Sequence, residues 1–235
     1  MTPKTDGSGG PRTRSRLTWA MCLSLLVSIA VFALYPQIDL QVAGFFFDPG
    51  RGFVGERDPV MQSLFKGVPL MSRAAVIALL IALFAYSMQR GSTGTRRRVQ
   101  IAYLIVSLAL GPGLLVNTVL KDNVGRARPV RITEFGGSRS FTPPLKRAAE
   151  CDSNCSSLSE HAAAGFFLVS LGFLGNAAAR RRWTLVGLFV GMVFGLARMT
   201  QGGHYLSDIV FSFYAVWFAA WLAWFVFRRF GRLEA

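Results

Sequence analysis

Six stretches of the chain are apolar almost without a break: residues 17–36, 68–88, 99–120, 161–178, 183–201 and 209–227. Each is long enough to cross ~30 Å of hydrocarbon as a helix. The pattern predicts an all-α, polytopic membrane protein with six transmembrane helices. Gly111-Pro112-Gly113 falls inside the third stretch and predicts a kink, whose freed carbonyl packed neighbours must satisfy. The chain starts with MTPKTDGSGGP, which reads as a disordered tail over residues 1–16 and leaves 17–235 as one membrane domain. The first apolar run follows basic residues, as a secretory signal does. It is longer than a signal's ~7–15 residues, and no small-x-small cleavage site follows, so it reads as a retained span.

Composition agrees, with 52% hydrophobic and 16% charged residues. The net charge of +14 would suit nucleic acid if it were spread over a soluble surface. It is not spread. With six spans both termini share a side, and that side holds Lys4, Arg12, Arg14, Arg16, Arg90, Arg96, Arg97, Arg98, Arg180, Arg181, Arg182, Arg228, Arg229 and Arg232 against only Asp6 and Glu234. Lys and Arg mark the cytoplasmic side, so both termini are expected there and the basic clusters read as topology signals, with no nucleic-acid partner.

Counting crossings from a cytoplasmic start places three polar interruptions on the opposite face. They are LKDNVGRARP from Leu120, CSSLSEHAAAGFF from Cys155, and RMTQGGHYLSDIV over 198–210. Any one helix-end cation there is explained by snorkelling to the interface. Convergence of four cations, both histidines of the chain and a carboxylate is not, because ionisable groups at this depth are functional candidates by default.

His204 and Asp208, at i and i+4, can meet on one helix face. The carboxylate can then hold Nδ1–H and leave the Nε2 lone pair outward, an arrangement that suits a nucleophile or base. Lys121 and Arg128, seven apart, share a face if the helix continues that far, although Gly125 and Pro129 predict a loop. With Arg198 they are candidate phosphate ligands, since guanidinium forks bind phosphoryl oxygens in pairs. Ser159 and His161 stand at the start of the fourth span, where unpaired N–H groups favour an anion and a histidine can protonate a departing oxygen. Phosphoryl transfer needs mainly such positioning and charge stabilisation. A zinc site from His161, His204, Asp208 and the CxxxC pair is opposed by the cations beside it.

Three further features bear on the site. Cys151 and Cys155 lie in an outer loop, where disulfides persist, and are expected to pair; Cys22 reads as an apolar filler within the first span. Ser157-Leu-Ser-Glu160 fits the S-x-x-E capping box, with Ser157 as cap. The loop 37–67 is expected to set substrate specificity.

KDNVGRARP fits KxxxxxxRP, SEH fits the end of PSGH, and ARMTQGGHYLSD fits SRxxxxxHxxxD. In order and separation these resemble the type 2 phosphatidic acid phosphatase (PAP2) superfamily, in its membrane branch, and look most like the bacterial lipid A phosphatases. The resemblance implies a helical-bundle phosphatase needing no metal or other cofactor. It implies His204 as nucleophile, Asp208 as its support, His161 as general acid, and Lys121, Arg128, Ser159 and Arg198 as phosphate ligands. The implied partners are a lipid phosphate and the bilayer of a bacterial inner membrane, with the site on the periplasmic face. Candidate substrates are lipid A, undecaprenyl pyrophosphate and phosphatidylglycerol phosphate. Ala197, Leu158 and Glu160 depart from the pattern. Glu160 replaces a glycine and motivates the alternative of a silenced lipid-phosphate binding or transport protein.

Overall fold

The computed structural model describes residues 11–120, 124–152, 155–230 and 233, with backbone alone for 11–16 and 117–120. The described chain is mostly helical, with almost no strand. Helix α1 spans Pro11–Leu34, α2 Gln37–Gly44, α3 Pro59–Ser87, α4 Ser92–Leu108, α5 Glu160–Phe166, α6 Val169–Phe173, α7 Ala177–Thr200 and α8 Leu206–Arg229. A two-residue hairpin, β1 Phe47–Asp48 with β2 Gly52–Phe53, sits between α2 and α3.

Boundaries shift from expectation for local reasons. Helix α1 starts at Pro11, inside the stretch expected to be a tail. Helix α3 starts well before residue 68, because Asp58 Oδ1 accepts from Met61 N at 2.9 Å and Pro59 follows at the first helical position. Helix α7 starts at Ala177 rather than 183, because Asn176 Oδ1 accepts from Ala179 N at 2.9 Å. The expected kink takes the form of a π-helical continuation of α4 over Ala109–Leu120. Pro112 has no N–H for the carbonyl four residues back, and the coil widens there.

The count of six full spans is not confirmed. Among the described residues five helices are long and apolar enough to cross a membrane: Leu17–Leu34 of α1, α3, α4 with its π-helical extension, α7 and α8. The expected span 161–178 is instead the short pair α5 and α6, Glu160–Phe173, broken at Phe167-Leu168. At ~1.5 Å per residue it rises only ~21 Å. It folds back antiparallel against α7, for Gly165 meets Gly191, Val169 meets Gly187 and Gly172 meets Arg180. A Cβ on Gly165 would stand 2.6 Å from the Gly191 Cα, so this close approach requires glycine.

Helix α8 is the axis of the bundle. One end of it packs Ile209 and Val216 with Ala162, Phe166 and Met199. The other packs Trp217, Ala220 and Ala223 with Tyr103, Val169 and Phe173. Helices α1 and α3 lie outside this core and present Leu23, Leu26, Leu70, Ile77 and Phe84 outward, as lipid-facing helices do. The antiparallel packing of α5–α6 on α7 brings the C-terminus of α7, the N-terminus of α5 and the N-terminus of α8 to one end of the bundle. Arg180, Arg181 and Arg182 lie at the other.

Candidate active site

Helix α7 ends at Thr200, and Gln201-Gly202-Gly203 turns the chain into α8. Gly202 has φ +63°, and its amide donates to Met199 O at 2.9 Å. A Cβ on Gly203 would lie 2.3 Å from Arg198 Nη2, so this glycine lets the guanidinium lie against the turn backbone. The turn places His204 two residues before α8, and the expected pair forms: Nδ1 donates to Asp208 Oδ2 at 3.1 Å. Tyr205 N donates to the same oxygen at 3.1 Å, so Asp208 also caps the start of α8.

Behind the pair stands a buried network. Ser156 Oγ donates to Asp208 Oδ2 at 2.5 Å, and Arg126 Nη1 to Asp208 Oδ1 at 3.1 Å. Arg126 further gives Nε to Thr142 O (2.8 Å), Nη1 to Ser207 Oγ (3.1 Å) and Nη2 to Asp39 Oδ2 (2.8 Å). Its Cζ lies 3.8 Å from the Tyr205 ring centroid. Asp39, fully buried on α2, takes Ser207 N at 2.9 Å and Ser207 Oγ at 2.5 Å. Sequence reasoning saw Arg126 only as one cation among several and missed Asp39, Ser156 and Ser207. The available signal was a lone acid, Asp39, at the foot of the first span in an otherwise uncharged IDLQVAG.

His204 is nearly buried, and burial lowers its pKa from 6.5, with the Asp208 bond opposing and Arg198 and Arg128 assisting. It is therefore a neutral imidazole at pH 7, Nε2 carrying the lone pair. Arg198 is buried on α7, bonded through Nη1 to Gln201 Oε1, with its Cζ 4.5 Å from the Phe65 ring centroid. Arg128 is half-buried after the loop at Gly125; burial and then Arg131 lower its pKa. Arg128, Glu160 and Arg198 lie within electrostatic reach of one another, and His204 within reach of both arginines. Lys121 lies outside the described residues.

The N-terminus of α5 corrects one expectation. Ser159, not Ser157, is the cap: its Oγ accepts from Ala162 N at 3.4 Å, and Glu160 is the first helical residue. Ser157 Oγ is buried with no hydrogen-bond partner among the described residues. Ser159 N donates to Ser212 Oγ at 2.7 Å, which donates to Asp208 O at 2.7 Å, tying α5 to α8. As a cap Ser159 Oγ accepts, and its own hydrogen remains available to give.

His161 pairs through Nε2 with Phe65 O at 3.0 Å and stacks on the Phe65 ring, centroids 5.3 Å apart. A carbonyl only accepts, so Nε2 carries hydrogen. That carbonyl is free because Pro69, four residues on, has no N–H to offer it. The Pro69 signal was in the sequence but unreadable while α3 was expected to start at 68. A cavity of about 460 Å³ runs between α3 and the π-helical segment, walled by Val68, Ile105, Leu108 and Pro112, and ends at Glu160 and His161. Cys151 and Cys155 are joined to each other, Cα atoms 5.6 Å apart, in the loop leading to Ser156. Cys22 is a half-buried free thiol on α1.

The sequence profile of the PAP2 superfamily matches residues 100–232, which contain every residue just described except those from α1, α2 and α3. The chain belongs to the PAP2 superfamily. A lipid A 4′-phosphatase of Francisella tularensis subsp. novicida is 34% identical over 207 residues, covering 84% of this chain and 90% of that protein. Lipid A 4′-phosphatases of Rhizobium leguminosarum (30% over 213 residues, 83% and 90% covered) and Rhizobium etli (31% over 218 residues, 83% and 82% covered) are also similar. No solved structure matches. This PAP2 protein is thus a multi-pass membrane phosphatase acting on a lipid phosphate.

Proposed function

We propose that this PAP2 phosphatase removes the 4′-phosphate of lipid A at the periplasmic face of a bacterial inner membrane, through a phosphohistidine. The observation that carries the reading is His204 held by Asp208 within electrostatic reach of Arg128, Arg198 and His161, with His161 at the end of a largely apolar cavity fit for lipid. In the first step His204 Nε2 attacks phosphorus; the N–P bond forms, the P–O bond to the sugar breaks, and His161, entering the step as the imidazolium, gives its Nε2 proton to the leaving oxygen and is left neutral. That proton leaves Phe65 O when substrate displaces the contact. Arg128, Arg198, the Ser159 hydroxyl and Lys121 carry the charge of the equatorial oxygens. In the second step water attacks phosphorus, His161 takes its proton, and the N–P bond breaks to release inorganic phosphate. No metal is needed for either step. Asp208 stabilises the imidazolium that forms, and Arg126, Ser156 and Tyr205 N fix its orientation.

The test is phosphate release by the purified protein from lipid A, undecaprenyl pyrophosphate and phosphatidylglycerol phosphate, in EDTA. Lipid A is expected to lose its 4′-phosphate, vanadate to inhibit, and His204→Ala to abolish turnover. Asp208→Asn is expected to cost several orders of magnitude in rate while leaving binding. Near-normal turnover in His204→Ala sinks the mechanism. Glu160 favours a second reading, since a carboxylate stands within reach of Arg128 and Arg198. Binding without turnover across the whole panel would mean a silenced phosphate-binding protein. Orientation is tested by reporter fusions after residues 60, 95, 150 and 181, expected to read out, in, out, in.

A further inference from the structure

At the end of the bundle away from His204, α7 opens with three arginines. Arg181 and Arg182 are exposed, whereas Arg180 is turned inward and only 9% exposed. Its guanidinium lies between two rings, with Cζ 5.0 Å from the Phe173 centroid and 5.4 Å from that of Trp224. Among the described residues no carboxylate reaches it, and its buried Nε has no acceptor. Trp217 Nε1, on α8 and also buried, has none either. Both residues line one cavity of about 250 Å³, walled further by Leu17, Trp221 and Phe225.

A buried cation without a counter-charge costs several kcal/mol in general, and a buried donor without an acceptor adds to that. The buried groups here that lack a hydrogen-bond partner, Arg180 Nε and Trp217 Nε1, are both donors, at a helix N-terminus, with the Thr18 hydroxyl also lining the cavity and Arg228 5.3 Å from the Trp224 ring beside it. What this lining lacks is an anion with several acceptor oxygens, and what its walls offer besides is aromatic and aliphatic surface. Basic pockets between helices at the cytoplasmic interface take lipid headgroups on these grounds.

We propose that this pocket binds the phosphate of an anionic glycerophospholipid, which accepts from Arg180 and Trp217 while its glycerol and upper acyl carbons lie on Leu17, Trp221 and Phe225. The bound lipid ties together the ends of α1, α6, α7 and α8. The opposite ends of α7 and α8 carry Arg198 and His204. A glycerophospholipid of this kind is a phosphodiester, so the site is separate from the phosphomonoester site in ligand as well as in place.

The test is thermal unfolding of the purified full-length protein, delipidated in a non-ionic detergent, with added phosphatidylglycerol, phosphatidylcholine or inorganic phosphate. Phosphatidylglycerol is expected to raise Tm by about 5 °C or more at saturation, and the other two not. Arg180→Met should remove the shift and Arg181→Met should keep it. If Arg180→Met does not fold, Trp217→Phe and native mass spectrometry of co-purified phosphatidylglycerol read the same site. An equal shift from phosphatidylcholine, which carries the same phosphodiester but no net charge, would mean that the pocket does not select an anionic lipid. An equal shift from inorganic phosphate would mean a free-anion site. A Glu234→Gln variant that lowers Tm and abolishes the lipid response would assign the acceptor to this chain's own terminus. Each of these three results, or a shift that survives Arg180→Met, overturns the proposal.

Discussion

Of the arginines buried among the described residues, Arg126 at one end of the bundle and Arg180 at the other are treated in opposite ways. Arg126, 2% exposed, has all three guanidinium nitrogens engaged: Thr142 O, Ser207 Oγ, Asp208 and Asp39 surround it, and the Tyr205 ring covers its face. Arg180 has two rings and no carboxylate among the described residues. At the first end folding alone supplies every acceptor, and the result is a rigid mount for the His204–Asp208 pair. At the second, folding prepares donors and walls and stops there. A charge that the fold satisfies serves the fold or its chemistry. A charge it leaves unsatisfied is more readily explained by something that arrives.

The largest expected effect breaks the first half of that comparison. Arg126→Met leaves Asp39 and Asp208 buried near one another with no cation between them, and should cost about 3–5 kcal/mol, the usual penalty for removing one partner of a buried pair. Thermal unfolding measures it. Adding Asp39→Asn to Arg126→Met should recover part of the loss, because one uncompensated carboxylate goes. If the two changes simply add, Asp39 and Arg126 are not a working pair.

A second effect is read in pH. His204 has its pKa lowered by burial from 6.5, against Asp208 and with Arg198, Arg128 and the nearby His161 around it. Attack needs the neutral ring, so the acid limb of kcat/KM should fall below the ordinary histidine value. Stability follows with the same sign. The unfolded chain binds more protons than the folded one just below 6.5, so the contribution from this group is complete above 6.5 and is lost as pH falls through the folded value. With only two histidines in the chain, histidine NMR of the His161→Gln variant reads this titration directly. A pKa above 6.5 there would show that Asp208 outweighs burial.

How much of this was legible without coordinates differs between the two ends. The spacing of His204 and Asp208 is local to one helix turn, so the pair could be read and does form. The partnership of Asp39 with Arg126 spans 87 residues and depends on α2 docking under α8, which no periodicity encodes. The fourth span was read by hydropathy alone. Hydropathy does not register that Gly165 and Gly172 press it against α7, nor that Asn176 starts the next helix so early. The same blind spot hid Pro69: its effect on His161 passes through the Phe65 carbonyl and requires knowing that α3 already runs through residue 65. The capping box failed for a local reason, since Ser159 lies nearer the helix start than Ser157 and takes the role.

A smaller effect concerns Glu160. With Ser159 as the cap, Glu160 is the first residue of α5, where a carboxylate favours the helix dipole by about 0.3–1 kcal/mol. Glu160→Gly should therefore lower Tm slightly. It also removes an anion within reach of Arg128 and Arg198, so inhibition by inorganic phosphate should tighten several-fold. Unchanged phosphate inhibition would show that the carboxylate is turned away from the site.

The smallest expected effect is the one that sharpens the comparison most. Arg180→Met, measured in lipid-free detergent, keeps an unbranched stem between Phe173 and Trp224 and removes only the charged head. Three contributions then compete. Loss of the cation–π contacts costs about 0.5–2 kcal/mol. The stem's own packing is largely retained. Relief of the desolvation cost of an unpaired buried charge works the other way and is of at least similar size. The net change should lie within about 1 kcal/mol of zero, and a gain in stability is an allowed outcome. Arg126→Met in the same detergent should remain several-fold more damaging. If Arg180→Met instead costs about 3 kcal/mol or more with no lipid present, its guanidinium already has an acceptor within the protein. The two ends of the bundle would then be alike, and the argument for a ligand at the second would be gone.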